Sequence, residues 1–253
     1  MQVTQSRKQR ERESRERHFL ELALNILTQE GYLGLTMDKL AQATGFAKGT
    51  LYLHFKNKED LICALLGQFQ QRRVELFQRV AGFQGPHRAR LAALGFAAEL
   101  FVLNYPENAR IEPILKAVSI RNKASKERRE FLDRMEQQCF DLVLSTARDA
   151  IAAGELILRP GETPEQLVFG LWSIHMGANV LTHIGPETSP AHGALGEDQP
   201  FTVLPLVISR LLDGYGWSPL STEFDYCALR RTLAEQYFAE EVDRAQALSG
   251  WKP

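Results

Sequence analysis

Hydrophobic positions along this chain recur at steps of three and four, and no stretch of useful length alternates apolar with polar. The pattern predicts helices almost throughout. Phe19, Leu22, Ala23 and Ile26 share one face of a first helix that Gly31 and Gly34 close. Thr36 can cap the next, the short segment "MDKLAQAT" with Asp38 in its first turn, and Gly45 stops it. A second short helix is expected from about Ala47 to His54. Asn57 can cap a longer one that opens on Glu59 and Asp60 and continues through "LICALLGQFQQRRVELFQRV".

Further on, Pro86 opens a helical pattern that reaches Asn104. A shorter helix over 108–124 carries Pro113, which would sit early in it or kink it. The segment 125–156 reads as a long amphipathic helix with Phe131, Met135, Cys139 and Leu142 as its stripe. Ser125 can cap it, although Arg128 stands where a full capping box would place Glu or Gln. Residues 164–184 and 201–214 are apolar nearly all round, the mark of a helix buried in a core or an interface. The Pro- and Gly-rich stretch between them reads as a loop. The tail, 222–248, reads as one more helix. The expected fold class is therefore all-α.

Composition narrows this picture. Apolar residues at 44% and charged residues at 24% are ordinary for a globular chain of 253 residues. The cysteines Cys63, Cys139 and Cys227 are scattered and odd in number, so neither a disulfide framework nor a metal knuckle is implied. The charged start is unlike a signal peptide. The apolar runs are too short or too interrupted for a membrane span, so a cytoplasmic protein is expected. A net charge of −1 does not by itself suggest nucleic acid. Its distribution says more: residues 1–60 hold 10 Lys and Arg against 8 Asp and Glu, a net of +2.

The basic residues gather around two short helices joined at Gly45, with longer helices before and after, which is the layout of a helix-turn-helix. Leu40, Ala41, Phe46, Leu51 and Phe55 can form its small core. Lys48, Thr50, Tyr52, Leu53 and His54 remain for other surfaces, and Gly49 leaves room for another backbone. Lysines and hydroxyls suit phosphates, and a short helix led by Lys48 can set donors against base edges in a major groove. Lys58, beside the free N–H groups of a helix start, also suits phosphate. The arm "SRKQRERESRER" could reach phosphates or an adjacent minor groove, or be the solvated start of the first helix.

The stretch "LTMDKLAQATGFAKGTLYLHFKNKEDLI" resembles the DNA-binding region of the TetR family of bacterial transcriptional repressors, through Thr36, Ala41, Gly45, Lys48–Phe55 and Asn57–Leu61. The resemblance implies a helix-turn-helix domain over 1–60, with a basic arm over 1–17. A larger helical effector-binding and dimerisation domain would occupy 61–253, with the tail helix at its end. Thr36, Lys48, Gly49, Thr50, Tyr52, Leu53, His54 and Lys58 would lie at or near an operator duplex. Ala47 departs from the family, whose members often carry a capping Ser or Thr there.

A dimeric repressor is then expected, paired through the helices near 164–184 and 201–214 and released from its operator by a small, largely apolar ligand. Phe96, Phe101, Met135, Phe140, Trp172, His175, Met176 and Asn179 are candidates to line the pocket, although stripes of this kind also build plain core. His175 and His183 lack partners at metal-ligand spacing, so no metal is expected, and no cofactor is implied. Two other classes stay open. One is a helical interaction protein whose basic turn meets an acidic partner. The other is an all-α enzyme, for which no nucleophile elbow, phosphate loop or HExxH motif is present.

Overall fold

The computed structural model describes residues 7–116, 118–183 and 200–251. Among them there are twelve α-helices and no strand. In chain order they are α1 (Arg7–Gly34), α2 (Met37–Thr44), α3 (Lys48–Tyr52), α4 (Lys58–Ala81), α5 (His87–Asn104), α6 (Pro106–Leu115), α7 (Val118–Lys123), α8 (Lys126–Ala152), α9 (Pro164–His183), α10 (Pro200–Gly214), α11 (Tyr226–Gln236) and α12 (Ala239–Ser249). The fold is all-α, as the periodicity predicts. The expected loop after α9 lies outside the described residues.

The helix boundaries follow the chemistry of their ends. Thr36 Oγ1 accepts the N–H of Lys39 at 3.1 Å and starts α2. Gly45, at φ 69°, takes the left-handed conformation that ends it at no steric cost. Asn57 Oδ1 accepts the N–H of Asp60 at 2.8 Å and starts α4. Gly31, also at positive φ, breaks α1 before its last turn.

Two expectations are corrected. The single helix over 108–124 is two, α6 and α7, with Pro113 late in α6 rather than at its start. The tail is also two helices. Phe238 leaves the helical register between α11 and α12 and buries its ring against Phe96, with centroids 5.9 Å apart.

The chain divides into two compact units. One comprises residues 1–69 and 111–134, the other 70–110 and 135–253. The first thus takes in α7 and the opening of α8 as well as α1 to α3. Phe19, Leu40, Leu51 and Phe55 are fully buried in it, and the rings of Phe46 and His54 meet that of Phe19 edge-on. The second is built on α5, whose sides are buried almost throughout. Leu144, Leu167, Leu171, Leu212 and Trp217 make one of its apolar clusters. On α5, Glu99 interrupts an otherwise apolar run. Its buried carboxylate receives Arg230 at 2.8 and 3.2 Å and the Trp251 indole N–H at 3.0 Å, which fastens the tail to α5. Arg79 and Glu241, 2.7 Å apart, add a second tie.

Candidate nucleic-acid interface

The short helix α3 projects from the first unit with one side anchored and the other open. Leu51 is its anchor. The turn after it closes through the N–H of Phe55 on the Leu51 carbonyl at 2.9 Å, which carries Phe55 into the core. On the open side stand Lys48, Gly49, Tyr52 and Leu53, the last with 75% of its surface exposed. Thr50 is half-buried and Thr36 exposed. A Cβ added to Gly49 would meet nothing within 4 Å, so its bareness answers no need of the fold and leaves the backbone approachable from outside. Lys48 reaches Asp38 of α2 at 2.6 Å, an exposed pair that phosphate could displace.

Two candidate residues face elsewhere. The His54 side chain is only 4% exposed; its Nδ1 lies 3.3 Å from Glu16 and its ring meets that of Phe19 edge-on at 5.2 Å. Lys58 is half-buried, with its ammonium 3.7 Å from the centre of the Tyr32 ring and donating to the Tyr32 carbonyl. Burial pulls the Lys58 pKa below its ordinary value, against the nearby charge of Glu59.

Behind the C-terminal end of α3, four elements meet around a cleft of about 480 Å³, lined in part by Arg12, Tyr52, Leu53, Lys56, Ser125 and Arg128. The buried Asp60 organises this region. One of its oxygens accepts the Lys56 N–H at 3.0 Å and the other the Ser125 N–H at 2.9 Å, so one carboxylate ties the turn after α3 to the start of α8. Burial would raise the Asp60 pKa. The contacts from Ser125 and Lys56, with Arg128 nearby, outweigh it and hold the carboxyl below its ordinary 3.8. Arg128 lies over the Phe55 ring at 5.5 Å and pairs with Glu16 at 2.7 Å, and Glu16 in turn holds His54. That Ser125 caps α8 and that Asp60 stands in the first turn of α4 is visible in their sequence positions. Their meeting across 65 residues is not, nor is that of Glu16 with Arg128.

Ala47 occupies the cap position of α3 without any side-chain hydrogen bond. Its exposure leaves room for a hydroxyl. Ala47→Ser is therefore expected to raise stability by about 0.5–1 kcal/mol through the missing cap, read as an increase in the denaturant midpoint with unchanged slope.

The eight pocket candidates stand on three helices, Phe96 and Phe101 on α5, Met135 and Phe140 on α8, and the other four on α9. Phe96 lies between the rings of Phe238 and Trp251, under the Arg230 guanidinium. Phe101 packs on Tyr105 and Arg73. Phe140 joins the cluster around Leu144 and Trp217. Trp172 is exposed beside Phe169 on α9. Met135, His175 and Met176 are half-buried. Asn179 is buried and donates to the Ala109 carbonyl at 3.0 Å.

Comparison with known proteins agrees with this arrangement. Residues 19–65 match the family model described as bacterial regulatory proteins, tetR family. The chain is 32% identical over 149 residues to YhgD of Bacillus subtilis (strain 168), an uncharacterized HTH-type transcriptional regulator; the match spans 56% of this chain and 72% of that protein. Two solved structures share the fold. A regulatory protein in the tetR family from Rhodococcus RHA1 superposes with a TM-score of 0.61 at 15% identity, covering 80% of this chain and 97% of that one. The transcriptional regulator FadR from Bacillus subtilis, in complex with stearoyl-CoA, gives 0.60 at 17% identity, covering 78% and 98%. No helix among the described residues is long and apolar enough to cross a membrane. With its helix-turn-helix, its all-helical remainder and a relative matched over most of its length, this chain belongs to the TetR family of DNA-binding transcriptional regulators.

Proposed function

We propose that the protein is a homodimeric repressor that reads its operator with α3 and leaves it when a small effector binds the helical part of the chain. The observation that carries the DNA-reading half is the open side of α3, where Lys48, Gly49, Tyr52 and Leu53 stand clear while Leu51 and Phe55 hold the helix from behind. Lys48, Tyr52 and Thr36 would take phosphates, and Thr50 and Leu53 would approach base edges. Lys58 would join them by exchanging the Tyr32 carbonyl for a phosphate. His54 would act from within, by fixing the end of α3.

The dimer is supported by α9 and α10. Phe169, Trp172, Leu181, Leu206 and Val207 are large apolar side chains exposed on two helices that pack together. A second copy would cover them about a two-fold axis, which would also present two α3 helices to two half-sites. The effector is supported by family membership and by FadR, solved with stearoyl-CoA. For this chain Met135, His175, Met176 and Asn179 are the candidates best placed to meet such a ligand, since Phe96 is taken up by the tail.

The test is selection of duplexes from a random library, followed by binding measured against salt. Wild-type protein should enrich one sequence and lose affinity steeply as salt rises. The Lys48→Ala, Tyr52→Ala double variant should bind that duplex about 10- to 100-fold more weakly, the worth of two or three lost contacts. Equal binding by wild type and double variant would overturn the assignment of α3. Sequence-indifferent binding with a shallow salt dependence would favour an acidic protein partner instead.

A further inference from the structure

The stripe that α1 buries changes character along the helix. From Phe19 onward it is apolar: Phe19, Ala23 and Ile26 point into the first unit. Extended back at the same helical spacing, the same side of α1 carries Arg15, Arg12 and Lys8. The helix does not end where its core ends. It runs on from Phe19 to Arg7, about 18 Å at 1.5 Å per residue, with every residue from 7 to 15 exposed. Local pairs hold this overhang in helical form: Arg7 with Glu11 at 2.9 Å, and Gln9 on Glu13 at 2.8 Å.

Where the overhang passes α3, it touches it. Arg12 Nη2 donates to the Leu53 carbonyl at 3.3 Å, and Arg12 shares the cleft wall with Tyr52 and Leu53. The basic stripe therefore begins beside the most exposed residues of α3 and continues past them, with Lys8 one turn, about 6 Å, further on. Its charge is not cancelled locally. The two carboxylates that flank it are engaged elsewhere, Glu11 by Arg7 and Glu16 by Arg128 and His54. Among the described residues, Lys8, Arg12 and Arg15 form no salt bridge.

We propose that the first three turns of α1 are a second DNA-contacting element. In it Lys8, Arg12 and Arg15 lie along the phosphate backbone just outside the bases read by α3 and lengthen the footprint of each half-site. The proposal rests on the DNA-reading role of α3. The occupant is DNA because the stripe is continuous with that helix's open side and carries a row of cations on a rigid rod, the complement of a charged backbone. Arg10 and Arg17 lie on the opposite side and serve as a built-in control for diffuse charge.

The experiment uses the full-length protein and two duplexes cut from the sequence it selects. One is trimmed to the selected bases, and the other is extended by one helical turn, about 10 bp, on each side. The Lys8→Gln, Arg12→Gln, Arg15→Gln variant should bind the extended duplex about tenfold or more weakly, with a logarithmic salt slope shallower by about two to three per half-site engaged. On the trimmed duplex it should match wild type. The Arg10→Gln, Arg17→Gln variant, which removes two charges from the far side, should keep the wild-type slope. The proposal is overturned by wild-type affinity and slope in the first variant, by equal losses in both, or by an altered base preference, which would point to minor-groove readout. Retained binding by the Lys48→Ala, Tyr52→Ala variant would instead overturn the role of α3, so the two failures are separable.

Discussion

Replacing Arg88 by alanine is expected to lower the unfolding free energy by about 2–4 kcal/mol, the cost of removing a buried guanidinium that holds two carbonyls and a partly exposed carboxylate. Arg88 is 1% exposed and sits at the start of α5. Its guanidinium donates to the Trp217 carbonyl at 2.7 Å and the Ser209 carbonyl at 2.9 Å, and it meets Asp213 at 2.7 Å. One side chain thus holds the end of α10 and the turn after it. Alanine would leave two carbonyls and a carboxylate to find other partners and would open a cavity beside Trp217. Arg88→Lys keeps the charge but not the planar fork, and should recover only part of the loss. Denaturant unfolding of the three proteins decides it; an alanine variant within 1 kcal/mol of wild type would refute the account.

The same site sets an acid limb. Burial would raise the Asp213 pKa, but the Ser221 hydroxyl and N–H, with Arg88, hold it down at about 2, against an ordinary 3.8. A folded-state value below the unfolded one stabilises above the unfolded pKa and is lost as pH falls. Wild-type stability should therefore drop as pH goes from about 4 toward 2. The alanine variant should show a smaller drop, because Ser221 remains.

The second large effect is expected at Asp60. Asp60→Ala should cost about 2–4 kcal/mol, since the N–H groups of Lys56 and Ser125 would both lose their acceptor in a buried place. Asp60→Asn can satisfy only one of them through its single carbonyl oxygen, and should fall between alanine and wild type. Operator affinity should fall as well, because Lys56 lies in the turn that ends α3. Stability and affinity measured on the same variants separate the two consequences. The sign with pH is again that of a lowered carboxylate: the Asp60 contribution is present above its ordinary value and fades as pH drops below it. An alanine variant with wild-type stability and affinity would show that the tie is idle.

Sequence made the local steps legible. Thr36, Gly45 and Asn57 mark their helix ends by short-range chemistry, and the residues that Leu51 and Phe55 leave over include the open side of α3 but also His54, which is buried. Long-range meetings were not legible. Periodicity assigns a residue to a face but does not name the partner on that face. Nothing local says that Asp60 receives Ser125, that Glu16 receives Arg128, or that residues 111–134 belong to the unit of the first helices. Glu99 did carry a signal, as one carboxylate in an apolar helix, but the sequence does not reveal that its partners are Arg230 and Trp251. The pocket candidates were hard for a related reason: an aromatic or Met stripe has the same spacing whether it lines a cavity or fills a core.

The tail clasp gives the protein an optical property. Of its three tryptophans, Trp217 is fully buried beneath Arg88, and Trp251 is buried with its N–H on Glu99. Trp172 is 48% exposed beside Phe169. Emission is blue-shifted in the first two environments and red-shifted in the third. One intrinsic spectrum therefore distinguishes the two buried sites, the α10 turn and the C-terminal clasp, from the α9 surface, with no dye attached.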